Sequence, residues 1–451
     1  MIWLRPILPA AARLAVFIYF RIRYAGEPVP ADGPVLLVAN HPNSLLDAIV
    51  VMAAARRPVQ FLAKAPLFRD PKTAWLVKGA GAIPVYRGAD APAEIGRNAD
   101  AFEAVYGELA RGAAVGIFPE GISHSEPALA PLRKGAARIA LGAVARTGAP
   151  VRIVPVGILF QRKDLFRSEA LVVTGPPIAW GDLAGGGSKD AGAVRNLTTR
   201  IAAALSRVTL NLERWADRRL VEVAAQIWET EKMISPEPSA RLRLYETTTR
   251  LLATVRRTED SEGVLLARDL ERFGRRLHRL RLSPPDLSAD VGSWRGVSWS
   301  MGKLYLLTPL AFVVSLTGWL LFILPTMVTG WIVDRAEVKT DERSTWKLLV
   351  GMAANAVWIA VVAALSAAVA VREGAGTWGG VLVAGSVLLG MPLIGMAGQI
   401  VRERWRGVWR DASRFFLFRA RRELIAALRV ERAGLASRMQ SLYERLGVSA
   451  G

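Results

Sequence analysis

The chain has 451 residues, and its 59 Lys and Arg against 39 Asp and Glu give a formal net charge of +20. With 52% hydrophobic and only 22% charged residues, the composition excludes a disordered or collagen-like chain and favours a membrane-associated protein with folded parts. Cys is absent, which excludes disulfides, thiolate nucleophiles and Cys-ligated metals. With only three His, a multi-His metal site is not expected either, so no metal is predicted.

Residues 1–29 are predicted to form an interfacial N-terminal helix. The apolar run at 14–20 has seven residues and is flanked by Arg13, Arg21 and Arg23. A membrane-spanning helix needs about 20 apolar residues, and cations directly after the run do not fit a secretory signal. We therefore expect a helix that lies in the membrane interface, with a helix packed on its own domain as the alternative.

Residues 30–190 are predicted to fold as a layered α/β domain with a mostly parallel sheet flanked by helices. Short β-rich runs alternate there with stretches long enough for helices, such as 91–111 and 133–146. This alternation favours a buried sheet between helical layers. The β-rich runs are 35–40, 58–63, 81–86, 113–118, 151–158 and 170–175.

Residues 191–300 are rich in Arg, Glu, Leu and Ala, without a strand pattern, and predict amphipathic helices. Their most basic stretch is 275–282. It has no interleaved aromatic residues and no nucleic-acid-binding motif, so a solvated or lipid-facing helix is expected and no nucleic-acid partner.

Residues 301–403 are predicted to form a hydrophobic membrane region with three apolar segments, at 304–333, 348–371 and 377–401. The tail at 404–451 is strongly basic, as the positive-inside rule expects of a cytoplasmic helical segment. If the α/β domain, the basic loop before 348 and this tail share the cytoplasmic face, the last two segments form a hairpin. The first segment, which contains Pro309 and Pro325, would then dip into the membrane and return.

The polar residues Asn40 and His41 follow the predicted strand at 35–40, and Asp47 follows them after a short segment. Loops at the carboxyl ends of parallel strands converge, and ligands of open α/β sheets bind there. An imidazole at that position suits a general base, and a nearby carboxylate orients its ring and stabilises the imidazolium. Such a pair could activate a substrate hydroxyl without a nucleophilic Ser.

Four ordered sequence blocks carry a resemblance to a known family: NHPNSLLDA (40–48), GAIPVYRG (81–88), IFPEG (117–121) and IVPVGI (153–158). Together they resemble the PlsC-like glycerolipid acyltransferase superfamily, which contains lysophosphatidate and glycerol-3-phosphate acyltransferases. The resemblance covers residues 30–180 and agrees with the predicted α/β layered domain.

The resemblance implies transfer of a fatty acyl group from an acyl thioester, either acyl-coenzyme A or acyl carrier protein, to a hydroxyl of a glycerol phosphate. It implies His41 as the general base and Asp47 as the residue that orients it. The acceptor site would include Arg87, Glu120 and Gly121, with Glu120 holding glycerol hydroxyls or tethering a loop. Further candidates for substrate binding are Phe118, Pro119, Ser123 and Lys134. No cofactor is implied, because the acyl thioester is a co-substrate.

The spacing between the two catalytic candidates departs from the commonest family pattern. Five residues, 42–46, separate His41 from Asp47 instead of four. On a continuous helix this spacing would turn Asp47 away from His41, so we expect the loop near Pro42 and Asn43 to absorb the extra residue. The longer spacing, and the segment 323–350, look like those of the fungal-type glycerol-3-phosphate and dihydroxyacetone-phosphate acyltransferases.

The sequence therefore predicts an integral membrane O-acyltransferase of phospholipid synthesis, with its catalytic domain on the cytoplasmic face. Its expected partners are membrane phospholipids, the acyl donor and a glycerol-phosphate acceptor, either glycerol-3-phosphate or 1-acylglycerol-3-phosphate. The alternatives are a phospholipid-remodelling transacylase, an acyltransferase with another lipid acceptor, and a non-catalytic scaffold that binds acidic lipids.

Overall fold

The computed structural model describes residues 6–86, 96, 98–148, 150–232, 238–288, 294–336, 338–339 and 342–447, without the side chains of 72, 238–239 and 294–308. The chain forms two compact units. The first comprises residues 1–274 together with 438–451, and the second comprises residues 275–437.

The first unit begins with helix α1 (Leu8–Tyr19), which runs directly into strand β1 (Phe20–Gly26). The prediction of one helical segment over residues 1–29 is therefore wrong for residues 20–26. These residues pair in parallel with a later strand along their whole length, and the resulting hydrogen bonds outweigh local helical preference. Helix α1 buries Ala12 and Val16 but leaves Leu14 and Phe17 more than half exposed.

A seven-stranded sheet is the centre of this unit. The strands after β1 are β2 (Val35–Ala39), β3 (Val59–Lys64), β4 (Ile83–Val85), β5 (Ala114–Ile117), β6 (Arg152–Phe160) and β7 (Ser168–Thr174). Their order in the sheet is β1-β7-β6-β2-β5-β3-β4. The five strands from β6 to β4 are parallel, β7 is antiparallel to β6, and β1 is parallel to β7. The prediction of an α/β layered domain with a mostly parallel sheet is confirmed.

The central strand β2 is buried at all five positions, which explains its uninterrupted apolar sequence. The core extends from it to two helices, at residues 135–147 and 191–208, whose small and aliphatic side chains pack against the sheet. The helices that alternate with the strands are α2 (Leu45–Ala55), α3 (Pro71–Gly79), α4 (Asn98–Ala110) and α5 (Gly135–Thr147).

Amphipathic helices follow the sheet: α6 (Ala191–Val208), α7 (Asp217–Glu231), α8 (Pro238–Arg257) and α9 (Ser261–Arg279). A forked pair of hydrogen bonds from Arg256 to Asp217, 2.5 and 2.7 Å long, joins α8 to the start of α7. The end of the chain also belongs to this unit, because Tyr443 packs against Trp228 with ring centroids 4.9 Å apart. The predicted separate tail at 404–451 is thus divided between the two units.

The second unit contains the long helices α10 (Trp294–Arg335), α11 (Arg343–Ala370) and α12 (Gly376–Ala420), and most of α13 (Arg422–Arg445). Among the described residues, two helical stretches are long and apolar enough to cross a membrane, 309–335 and 343–420. The second contains a sharp turn at 371–375, where Gly374 has a φ of 95°, a conformation that favours glycine.

The expectation that the prolines break the first apolar segment is wrong, because α10 continues as a helix through both Pro309 and Pro325. That this segment begins and ends on the same side of the membrane stays a prediction. Thr329 donates its hydroxyl hydrogen to the Pro325 carbonyl at 2.7 Å, one of the local adjustments that let apolar helices tolerate proline. Small residues bring α10 and α12 together: a Cβ on Gly398 would lie 3.0 Å from the Val314 carbonyl oxygen.

The residues before and after these long helices contact each other within the second unit. Asp286 pairs with Arg414 at 3.0 Å, and Arg432 donates to the Ser288 hydroxyl at 2.7 Å. Both flanks of the apolar region therefore lie at the same end of it.

Candidate active site

The loop after β2 is fixed to the neighbouring strand by Asn40. Its side-chain amide donates to the Ile158 carbonyl at 3.0 Å, and its side-chain oxygen accepts from the Ile158 amide at 2.7 Å. This two-way bond continues the β2–β6 pairing beyond the last residue of β2. It holds the next residue, His41, at the carboxyl edge of the sheet.

His41 and Asp47 form a direct pair. The Oδ2 atom of Asp47 accepts hydrogen bonds from His41 Nδ1 at 2.9 Å and from the Asn43 amide at 2.7 Å. The helix α2 begins at Leu45, so residues 42–44 form the loop that absorbs the extra residue between the two side chains. Ser44 in this loop has φ 51° and ψ −131°, a strained conformation of the kind that clusters at functional sites.

The carboxylate of Asp47 is completely buried. Burial raises the pKa of Asp47, while the hydrogen bond and charge of His41, the Asn43 amide and the positive charge of Lys163 oppose this rise. An ionised carboxylate at this position is therefore best stabilised when the adjacent imidazole is protonated. Because Nδ1 donates to Asp47, Nε2 is the ring nitrogen of His41 that keeps a lone pair for a substrate proton.

Phe118 packs flat against the imidazole. The ring centroids of His41 and Phe118 are 4.0 Å apart with an angle of 6° between the planes, and Phe61 stacks on Phe118 at 5.6 Å. The three rings fix the plane of the imidazole, while Asp47 fixes its rotation within that plane. The predicted substrate-binding residue Phe118 thus directly contacts the candidate base.

Glu120 connects the FPEG segment to the His41 loop. Its side chain is 1% exposed; Oε1 accepts from the His41 amide at 2.8 Å, and Oε2 accepts from the Ala130 amide at 2.7 Å. His124 also donates to Oε2 from Nε2, since its Nδ1 accepts from the Glu126 amide at 3.2 Å. Both carboxylate oxygens are bonded within the protein, and this favours the loop-tethering role over direct contact with glycerol hydroxyls.

The other predicted residues in and just after the third block help to hold the same loop in place. The amide of Arg133 donates to the Pro119 carbonyl at 2.7 Å, and the amide of Ser44 donates to the Ser123 hydroxyl at 3.0 Å. Gly121 has a φ of 73°, and a Cβ there would lie 2.6 Å from the Arg133 side chain. Its lack of a side chain permits this tight turn.

Two predicted substrate-binding residues are not brought to this cluster. Lys134 is exposed at the start of α5, and it does not line the cleft that contains His41. Arg87 lies outside the described residues.

A cleft of about 340 Å³ opens beside His41, Glu120 and His124. Part of its wall is apolar, formed by Leu129, Ile158, Leu159, Phe160, Leu210 and Trp215. The polar part includes Arg162, Lys163, Asn211 and Arg218. Among the described residues, no group of three or more His, Asp or Glu side chains is arranged to hold a metal ion.

Lys163 is the main site residue that the sequence reasoning missed. Its ammonium group donates to the Pro42 carbonyl and to the Ser125 hydroxyl, both at 2.6 Å, so it lies directly beside the His41 loop. One available signal was that Lys163 follows the predicted strand at 151–158, whose carboxyl end meets that of the strand before His41. The cleft residues Asn211, Trp215 and Arg218 gave no such signal, because they lie beyond the domain boundary predicted at 190.

Comparison with known proteins gives a family match for part of the chain. Residues 21–159 match the acyltransferase family model. This part of the chain is an acyltransferase domain. The matched range contains all four sequence blocks and every residue of the His41, Asp47, Phe118 and Glu120 cluster.

The acyltransferase domain also has curated relatives. The chain is 27% identical over 275 residues to glycerol-3-phosphate O-acyltransferase 2 of Saccharomyces cerevisiae, covering 56% of this chain and 36% of the yeast protein. It is 29% identical over 150 residues to the chloroplastic 1-acyl-sn-glycerol-3-phosphate acyltransferase BAT2 of Brassica napus, covering 33% of this chain and 40% of the plant protein. The matched region is therefore less than half of each relative.

Among solved structures, the chain is similar to the 1-acyl-sn-glycerophosphate acyltransferase PlsC of Thermotoga maritima. That match has a TM-score of 0.33 and 19% sequence identity, and covers 44% of this chain and 76% of the other.

Proposed function

We propose that this protein is a membrane-bound O-acyltransferase that transfers a fatty acyl group from an acyl thioester to a glycerol-phosphate acceptor in phospholipid biosynthesis. The donor is acyl-coenzyme A or acyl carrier protein, and the acceptor is glycerol-3-phosphate or 1-acylglycerol-3-phosphate. The observation that carries the proposal is the His41–Asp47 pair beside a cleft with both cationic and apolar walls.

The reaction proceeds by direct attack of the acceptor on the thioester. His41 Nε2 takes the proton of the acceptor hydroxyl as the oxygen forms a bond to the thioester carbonyl carbon. The tetrahedral intermediate then collapses, the carbon–sulfur bond breaks, and the thiolate receives a proton from the imidazolium. Asp47 keeps Nδ1 protonated throughout and stabilises the positive charge that His41 gains.

The two kinds of cleft wall suit the two kinds of substrate group. Lys163, held next to the carbonyl of Pro42, and Arg162 provide positive charge for the phosphate of the acceptor. The apolar residues from Leu129 to Trp215 offer a surface for an acyl chain. This pairing favours a phosphorylated glycerol acceptor over an uncharged lipid alcohol.

We expect the long helices to hold this chemistry at a lipid surface. We expect the hairpin of α11 and α12 to cross the membrane, with both flanks of the apolar region on the cytoplasmic face, where the surrounding Arg residues accord with the positive-inside rule. An acyl chain then remains in the bilayer while the polar groups react in the acyltransferase domain.

The proposal is tested with the detergent-purified protein and two acyl donors in separate assays, a long-chain acyl-coenzyme A and the corresponding acylated acyl carrier protein. Glycerol-3-phosphate, dihydroxyacetone phosphate, 1-acylglycerol-3-phosphate and lysophosphatidylcholine are offered in parallel, and the acylated products are identified by mass spectrometry. We expect product from a glycerol-phosphate acceptor. Product from lysophosphatidylcholine alone would support the remodelling alternative, and absence of product with acyl-coenzyme A and acyl carrier protein donors would support the scaffold.

A further inference from the structure

A groove on the polar half of α12 has no part in the acyltransferase chemistry described above. One face of α12 lines it from residue 405 to residue 417, and the end of the α9 region forms the opposite wall. Its volume is about 630 Å³, within the range of small-ligand sites. The lining residues are Leu280, Arg281, Trp405, Arg406, Trp409, Arg410, Ser413, Arg414 and Leu417.

The groove concentrates positive charge at helical spacing. Arg406, Arg410 and Arg414 follow each other at intervals of four residues, so their guanidinium groups project from the same face of α12. Only Arg414 is compensated, by Asp286 at 3.0 Å and Asp411 at 3.7 Å. In the part of the chain that the structure describes, Arg281, Arg406 and Arg410 form no ion pair and are exposed.

Like charges at this spacing destabilise a helix, typically by a few tenths of a kcal/mol per pair. A bound anion removes this repulsion. Guanidinium groups bind phosphate oxygens through paired hydrogen bonds, so a phosphate group is the anion that this arrangement fits best.

Two tryptophans lie among these cations. Trp409 is 54% exposed, and Trp405 is half-buried one helical turn earlier. The groove begins just after the apolar segment at 377–401 ends. Trp rings at the boundary of an apolar helix, followed by Arg, are the side chains that meet lipid headgroups in membrane proteins.

We propose that this groove binds the headgroup of an anionic phospholipid, with Arg281, Arg406 and Arg410 around its phosphate and Trp405 and Trp409 against its glycerol and upper acyl chain. The proposal rests on the membrane placement of α12 proposed above, and not on acyl transfer, because no groove residue lines the cleft of His41. Such a site would make the protein responsive to the acidic-lipid content of its membrane.

The test uses the full-length protein in phosphatidylcholine nanodiscs and measures quenching of tryptophan fluorescence by brominated lipids. Brominated phosphatidylglycerol is compared with brominated phosphatidylcholine at equal fraction. We expect the brominated anionic lipid to quench the fluorescence more strongly than brominated phosphatidylcholine. This additional quenching should be absent in the W405F/W409F variant. The R406Q/R410Q variant is expected to weaken the apparent affinity for phosphatidylglycerol about 30-fold, as the loss of two cations near a membrane surface predicts.

Matched variants test whether binding of the anionic lipid requires the groove residues themselves or only the positive charge of α12. R404Q/R419Q removes two exposed cations from the same helix without changing a groove residue, and it should keep the selective quenching. R406K/R410K changes the same two positions but retains their charge, and it should keep most of the affinity for phosphatidylglycerol. This result would show that the weaker binding of R406Q/R410Q comes from the lost charge and not from misfolding.

Three results would overturn the proposal. Equal quenching by the two brominated lipids would mean that the groove does not select an anionic lipid. An equal loss of selective quenching in R404Q/R419Q would mean that the selectivity comes from the general positive charge of α12. An emission change that depends on Arg406 and Arg410 and occurs only with added inorganic phosphate would assign the groove to a soluble anion. Because the readout is fluorescence, none of these results depends on whether the protein transfers acyl groups.

Discussion

At the scale of single residues, the candidate base is held by three independent contacts. Asp47 bonds its Nδ1 atom, Phe118 stacks on its ring, and Glu120 accepts from its backbone amide. All three residues were predicted from the sequence, Asp47 in the orienting role and Glu120 with two roles left open, but the stacking of Phe118 on the imidazole was not predicted. Local sequence spacing does not show how distant segments of the chain meet. The hydrogen bonds of Glu120 and the position of Lys163 beside the loop both depend on such long-range contacts.

Replacing Asp47 with Asn should separate activity from stability. An Asn side-chain oxygen still accepts from His41 and Asn43 but lacks the charge that stabilises an imidazolium, so we expect kcat to fall by about 10²–10⁴-fold. Burial raises the pKa of Asp47 in the folded protein above that of an ordinary carboxyl group. The parent protein should therefore lose stability as the pH rises from the ordinary carboxyl range through this raised pKa. The Asn variant has no carboxyl group at this position and should not show this loss.

The measurement is thermal unfolding of both proteins from acidic to neutral pH, together with kcat. The difference in melting temperature, variant minus parent, should become more positive toward neutral pH. A difference that becomes more negative over this range would mean that ionised Asp47 stabilises the fold, contrary to this account.

At the scale of elements, uninterrupted apolar runs predicted strands β2 to β7 within a few residues, because buried parallel strands have few polar positions. Strand β1 was missed because an edge strand with alternating Arg is weakly apolar, and its pairing partner β7 lies more than a hundred residues away. The helical continuity of α10 was missed because its prolines were interpreted as breaks.

Gly157 on β6 offers a direct test of how the sheet packs. A Cβ at Gly157 would lie 1.7 Å from the Val208 carbonyl oxygen at the end of α6, so the backbone would have to move. We expect Gly157→Ala to lower the free energy of unfolding by about 1–3 kcal/mol, or to prevent folding.

Gly181→Ala is the matched control, since nothing lies within 4 Å of a Cβ there. The two variants are compared by urea unfolding followed by circular dichroism. Equal stability of the two would contradict the close contact between β6 and α6.

At the scale of the whole molecule, the sequence predicted an α/β domain and an apolar region, and the structure contains both. It did not predict that the chain end at 438–451 joins the first unit, because the contact of Tyr443 with Trp228 links residues far apart in sequence. The contact of Asp286 with Arg414 likewise shows that the two flanks of the apolar region meet.

The membrane arrangement can be measured by labelling single Cys residues in sealed vesicles, since the chain has no Cys of its own. We expect Cys at Arg279 and at Ala420 to react from the same side, because the neighbouring flanks are in contact. Cys at Glu373, in the turn between α11 and α12, should react from the other side.

Labelling of positions 279 and 420 from opposite sides would contradict the contact between the flanks. Labelling of all three positions from one side would contradict a membrane-crossing hairpin.

The central claim is that His41 transfers the proton during acyl transfer, and acceptor-dependent thiol release tests it most directly. A thiol reagent reports this release without background from the chain. We predict that His41→Ala loses release by about 10²–10⁴-fold, while the matched control His278→Ala, which removes an exposed imidazole on α9, retains it. Undiminished release in His41→Ala would contradict the account.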